Sequence, residues 1–179
     1  MCMSSISTQW LERYSDRKNH YLVSLDDDPV VKEIRNFLLL WNLYENLFLN
    51  CSGKVCSIWK NTGNLAPDIK DTDAFYAYIK DRYSDPILFA KLNFKHDDKG
   101  LDKYCTSFSD RVLAILGCDE PSLAEKNTVC RMVAWRYRNN LFHGKKSMSS
   151  FWNQQDIFER VNAYLVSGLS IRTKIYVDQ

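Results

Sequence analysis

The chain has 179 residues, 45% of them hydrophobic and 13% aromatic, and its 24 lysines and arginines nearly balance 22 acids. That length can bury one substantial core, while 6 glycines and 4 prolines are too few for a collagenous, linker-dominated or turn-rich β-sandwich chain. A net charge of +2 does not by itself mark a nucleic-acid binder, so the placement of the charges matters.

The first residues, Met1 to Ser7, hold no basic region followed by an apolar core, so no secretory signal is readable. A short helix is expected over Ser7–Tyr14, with Ile6, Trp10, Leu11 and Tyr14 on one face. Asp26, Asp27 and Asp28 precede Pro29, which suits the first position of a helix whose positive end favours carboxylates. From about Pro29 to Asn50, Val30, Ile34, Phe37, Trp41, Tyr44 and Phe48 recur at three- and four-residue steps, which makes a core-facing stripe. Its apolar run Phe37–Trp41 is too short to span a bilayer, and the reading is a cytoplasmic protein without membrane contact.

The stretch from Cys51 to Lys70 reads as an irregular connection with one ordered piece around Val55–Lys60. Asp71 or Thr72 is the expected cap of a helix through Tyr83, and Pro86 opens a short one over Ile87–Leu92. Lys95–Gly100 is a polar loop; its His96, Asp97 and Asp98 lack the further ligands a metal would need. Thr106 or Ser107 begins a helix closed by Gly117. Ser122 and Glu125 have the spacing of a capping box and open a helix to about Phe142, with Gly144 as its stop. A last helix covers Gln154–Val166, and Ile171–Val177 reads as a short strand or extended tail.

The pattern is all-α: an antiparallel bundle of about four to six helices over residues 29–170. A helix and acidic linker (1–28) precede it, and a tail (171–179) follows. The six cysteines, Cys2, Cys51, Cys56, Cys105, Cys118 and Cys130, form no C-x-x-C pair and read as reduced thiols. No metal or other cofactor is expected.

From Asn127 to Gln155 there is no acidic residue, yet Arg131, Arg136, Arg138, Lys145 and Lys146 fall in that window, together with His143. Interleaved aromatic residues (Trp135, Tyr137, Phe142, Phe151, Trp152) suit contact with phosphates and bases. At its centre stands Tyr137-Arg138-Asn139-Asn140-Leu141-Phe142-His143-Gly144. Chance places a His five positions after an Arg in roughly one of six chains of this composition, and requiring Asn directly after the Arg lowers that to about one in eighty.

His143 is the ionisable group suited to proton transfer near neutrality, and Arg138 offers a fork for phosphate oxygens. Asn139, four residues before His143, shares its helix face. Arg138 and His143 lie about 140° apart around a helix, so one helix aims them poorly at a common atom. Two copies across a symmetric dimer, or an unwound end at Gly144, would correct that. On the early helix, the steps Ile34, Leu38, Trp41, Glu45, Phe48 put Glu45 on the apolar stripe. A carboxylate there needs a partner, and Arg138 or Arg136 is the natural one. Asn42 is a weaker neighbour of the same site.

Arg138 to Gly144 resembles the R-x4-6-H motif of the HEPN superfamily, in which a polar residue, often Asn, follows the Arg near the end of a late helix. The resemblance implies a metal-independent endoribonuclease of the toxin or antiviral-defence kind. It further implies a homodimer whose two motifs share a cleft, an RNA substrate, and a possible antitoxin or other inhibitory partner. Arg138 and His143, with Asn139 and Glu45, are then the expected catalytic group. Arg131, Arg136, Asn140, Lys145 and Lys146 are the expected RNA contacts. The alternative is a non-catalytic HEPN-like module that binds nucleic acid or protein.

Overall fold

The computed structural model describes residues 29–49, 58–59, 69–92, 94, 107–142 and 154–173. These form six helices and no strand: α1 (Pro29–Leu49), α2 (Ile69–Arg82), α3 (Pro86–Leu92), α4 (Phe108–Leu116), α5 (Leu123–Phe142) and α6 (Gln155–Thr173). The fold is an all-α bundle, as the periodicity requires. None of the described helices is long and apolar enough to cross a membrane. The Ser7–Tyr14 helix, most of the 51–70 connection, the Lys95–Gly100 loop and the segment after Thr173 lie outside the described residues.

Local chemistry sets several helix ends. Pro29 stands first in α1 and Pro86 first in α3, where the missing N–H costs no intrahelical bond. Asp85 caps α3 by accepting from the Ile87 N–H at 2.7 Å. Ser107 caps α4, its Oγ accepting from the Asp110 N–H at 3.0 Å. Gly117 closes that helix in an ordinary right-handed conformation, donating its N–H to Leu113 O. The capping box forms as spaced: the Ser122 N–H donates to Glu125 Oε2 at 2.8 Å, and the Glu125 N–H to Ser122 Oγ at 3.3 Å.

Two boundaries differ from the sequence reading. α2 begins at Ile69, so Asp71 sits in its first turn rather than at its cap. α6 runs on to Thr173 instead of ending at Val166. Gly168 does not stop it, because Leu165, Gly168 and Leu169 are all buried against the bundle and packing outweighs glycine's weak helix propensity.

α5 is the axis of the bundle. Every residue from Asn127 to Tyr137 is buried, with α2, α3 and α4 packed on the helix and α6 meeting it through Tyr164 and Phe158. α2 and α5 run parallel: Thr72 meets Asn127 near their starts and Tyr83 meets Tyr137 near their ends. α6 runs antiparallel to α1, since Glu33 meets Asn162 while Phe37 meets Phe158. The core is strongly aromatic. Phe37 packs on Trp41 and Phe158, and Phe158 in turn meets Tyr137 edge-on at 5.5 Å, which joins α1, α6 and α5 through tilted rings.

A polar hub is set into this core. Asn127 Oδ1 accepts from Thr72 Oγ1 at 3.2 Å and from the Tyr164 hydroxyl at 3.1 Å, tying α2, α5 and α6 at one level. Lys126 donates to Asp73 at 2.7 Å on the adjoining surface.

Candidate active site

The three arginines of α5 divide by depth. Arg131 is only 1% exposed, and Arg136 6%. Arg131 donates from Nε to Ile58 O at 3.4 Å and from Nη2 to Thr128 Oγ1 at 3.0 Å. Arg136 donates from Nε to Leu92 O and from Nη2 to Asn140 Oδ1 at 3.4 Å, with its guanidinium over the Trp135 ring. Both therefore anchor main-chain carbonyls inside the fold.

The expectation that Arg131, Arg136 and Asn140 contact RNA is corrected accordingly. A guanidinium enclosed by its own helix neighbours has no approach for a phosphate, and Asn140 is itself buried, accepting from Arg136. The acid-free window holds its cations on more than one face, and most of α5 is interior.

Arg138 is different. Its side chain keeps 29% of its surface exposed. α2 ends level with Tyr137, where the Tyr83 and Tyr137 hydroxyls meet at 3.0 Å, and Arg138 is half-buried between the buried Tyr137 and Asn139. Two oxygens hold the guanidinium from different sides. Nη1 donates to Asn139 Oδ1 at 3.1 Å, and Nη2 lies 3.7 Å from Glu45 Oε1 on α1.

Glu45 is 16% exposed, at the edge of the buried stripe of α1, and its Oε1 is shielded from solvent without a hydrogen bond. The Arg138 charge thus balances an enclosed carboxylate across a gap longer than a hydrogen bond. The pair is longer than the bidentate contact that a phosphate offers a guanidinium. Asn42, three residues before Glu45 on α1, is exposed.

Asn139 is buried, with its amide oxygen committed to Arg138. The structure therefore joins Arg138, Asn139 and Glu45 in one cluster. His143, Lys145 and Lys146 lie outside the described residues.

Tyr44, next to Glu45, has its phenol pushed up to about 12 by burial, with Arg131 drawing it down and Glu45 adding to the rise. It stays protonated near neutrality and cannot serve as a base there. Beside the cluster the structure also places a pair that sequence reading passed over, Tyr83 and Tyr137. Tyr137 directly precedes Arg138, and its place in an aromatic-rich segment was the only sign of it.

Comparison with protein-family models, with curated proteins and with solved structures finds no match.

Proposed function

We propose that the chain is a metal-independent endoribonuclease, acting as a homodimer and serving as a toxin or defence effector restrained by a partner. The observation that carries this reading is Arg138. In a helix whose other arginines are interior, it is the one left partly exposed. It is steadied by Asn139 and Glu45, and it stands five residues before His143 in the spacing of the motif it resembles.

In the proposed reaction the RNA 2′-oxygen attacks the adjacent phosphorus, a 2′-O–P bond forms and the P–O5′ bond breaks. The products are a 2′,3′-cyclic phosphate and a free 5′-hydroxyl. His143 takes the proton from the 2′-hydroxyl, and an imidazolium, its own or that of the second copy, returns one to the departing 5′-oxygen. Arg138 grips the non-bridging oxygens as charge builds on them. Asn139 and Glu45 are positioning residues that act through Arg138.

The test is cleavage of total RNA by the purified chain in EDTA, beside Arg138→Ala and His143→Ala. The expected result is cyclic-phosphate ends from the parent chain, and loss of cleavage in both variants with their helix content and oligomeric state retained. Undiminished cleavage by both variants, or a strict need for a divalent ion, refutes the mechanism. Binding of RNA without any cleavage would support the alternative, a non-catalytic binding module.

A further inference from the structure

Three helices bring arginines and phenols together one residue away from Arg138. On α2, Tyr78 and Arg82 are one turn apart, and Arg82 Nη1 donates to the Tyr78 hydroxyl at 3.3 Å, with its guanidinium carbon 6.0 Å from the Tyr78 ring centre. From α6, Arg160 lies over the same ring at 4.7 Å. Behind them the paired Tyr83 and Tyr137 hydroxyls carry the cluster to α5, and Arg82 stands close to both phenols. Tyr83 and Tyr137 are buried, Tyr78 and Arg82 half-buried, and Arg160 exposed.

The charge balance of this cluster is unusual. Two guanidinium groups converge on one ring, and no ion pair joins either of them to a described carboxylate. Of the acids nearby in sequence, Asp85 is engaged in capping α3, Glu159 accepts from Gln155 at 2.7 Å, and the exposed Asp81 and Asp156 form no ion pair with either arginine. Arg82 Nε is shielded from solvent without an acceptor. The last turn of α2 favours a cation such as Arg82 through its helix dipole, but Arg160 sits in the second turn of α6, where the dipole gives it no such support. Cation–π contact with Tyr78 offsets part of the repulsion. The remainder calls for an anion.

We infer that Tyr78, Arg82 and Arg160 form a phosphate-gripping subsite for single-stranded RNA, a few nucleotides along the strand from Arg138. This inference rests on the ribonuclease reading for the identity of the polyanion. An arginine seated on a tyrosine ring offers both a fork for phosphate and a flat cationic surface for an unpaired base, a combination that fits a single strand better than an acidic peptide. The subsite also replaces the contacts that Arg131 and Arg136, being interior, do not make.

The experiment measures binding of a labelled, mixed-sequence single-stranded RNA 20-mer to the full chain carrying His143→Ala, across a salt series. Into that background go Arg82→Gln, Arg160→Gln and the double variant. Arg111→Gln serves as a charge-matched control, since Arg111 instead stacks between Trp59 and Phe108. Each lost phosphate contact should lower the slope of log K against log salt by about 0.7, and weaken binding about fivefold at 0.1 M salt, with no change for Arg111→Gln. Arg160 is exposed, so its variant reads the subsite even where Arg82→Gln disturbs folding.

Slopes and affinities equal to the parent's, a parent chain that binds no RNA, or a poly-glutamate peptide bound in preference to RNA would each overturn the inference. The two readings separate cleanly. Cleavage that persists with no effect of the arginines defeats the subsite alone, whereas arginine-dependent binding without cleavage defeats the nuclease alone.

Discussion

Replacing Asn127 by alanine tests whether the polar hub is what sets the helices of this bundle in register. The side-chain oxygen of Asn127 serves two hydroxyls, those of Thr72 and Tyr164, and both of these residues are fully buried. Arg131, close to Tyr164, supplies only donors and cannot stand in as an acceptor. Asn127→Ala therefore strands the Thr72 hydroxyl and leaves Tyr164 only its longer, 3.4 Å contact to the main-chain oxygen of residue 127, and with each stranded donor worth about 1–3 kcal/mol a total of up to about 3 kcal/mol is expected. For a chain of this size that lowers the melting temperature by roughly 6–12 °C. Urea unfolding followed by circular dichroism gives the free energy directly. The decisive comparison repeats the substitution in a Thr72→Val, Tyr164→Phe background, where no hydroxyl is left to strand and the cost should fall to about 1 kcal/mol. A cost below about 1 kcal/mol in the parent, or an equal cost in both backgrounds, would refute the reasoning.

Three further outcomes follow from the same contacts. Arg136→Met keeps the stem but abandons Leu92 O, so it should destabilise the fold by about 1.5–3 kcal/mol while leaving the salt dependence of the proposed RNA binding unchanged; denaturant midpoints and a salt series check both halves. Hydrogen bonds from the Ser122 hydroxyl and N–H hold the Glu125 carboxyl below its ordinary value of 4.5. The lowered value means that its contribution is present above pH 4.5 and lost as pH falls through the folded value. The stability gap between the parent and Glu125→Gln should therefore close in acid, as melts between pH 7 and 3 will show. Peptide-resolved alkylation should modify exposed Cys118 quickly and Cys130 only on unfolding, because burial pushes the Cys130 thiol far up.

What could be read from the sequence depended on the range of the interaction involved. The caps at Ser107 and Ser122 and the prolines at Pro29 and Pro86 act within one turn, and their residues alone announce them. The stripe of α1 was equally legible, because one face is buried and the other is wet, with Leu39 64% exposed on the outer side. α5 resisted the same treatment. A helix enclosed on all sides has no polar face to contrast with an apolar one, so its arginines read as surface charge although they terminate on carbonyls of Ile58 and Leu92. Arg138 was legible as a motif residue, and Glu45 was legible as a carboxylate in need of a partner. Their meeting at 3.7 Å depends on how α1 crosses α5, which no local pattern encodes. The Tyr78–Arg82–Arg160 cluster was hidden for the same reason, since α2 and α6 are more than seventy residues apart in the chain.

The enclosure of α5 also makes that helix very uneven in its tolerance of change. From Asn127 to Tyr137 every residue is buried, and almost any exchange there disturbs several neighbours at once. Arg138 interrupts that run, but Asn139 and Asn140 behind it are buried again. A saturation scan along α5 should therefore show a permissive position at Arg138, with misfolded variants on both sides of it. A helix arranged in this way can revise one half-buried side chain while its scaffold stays put.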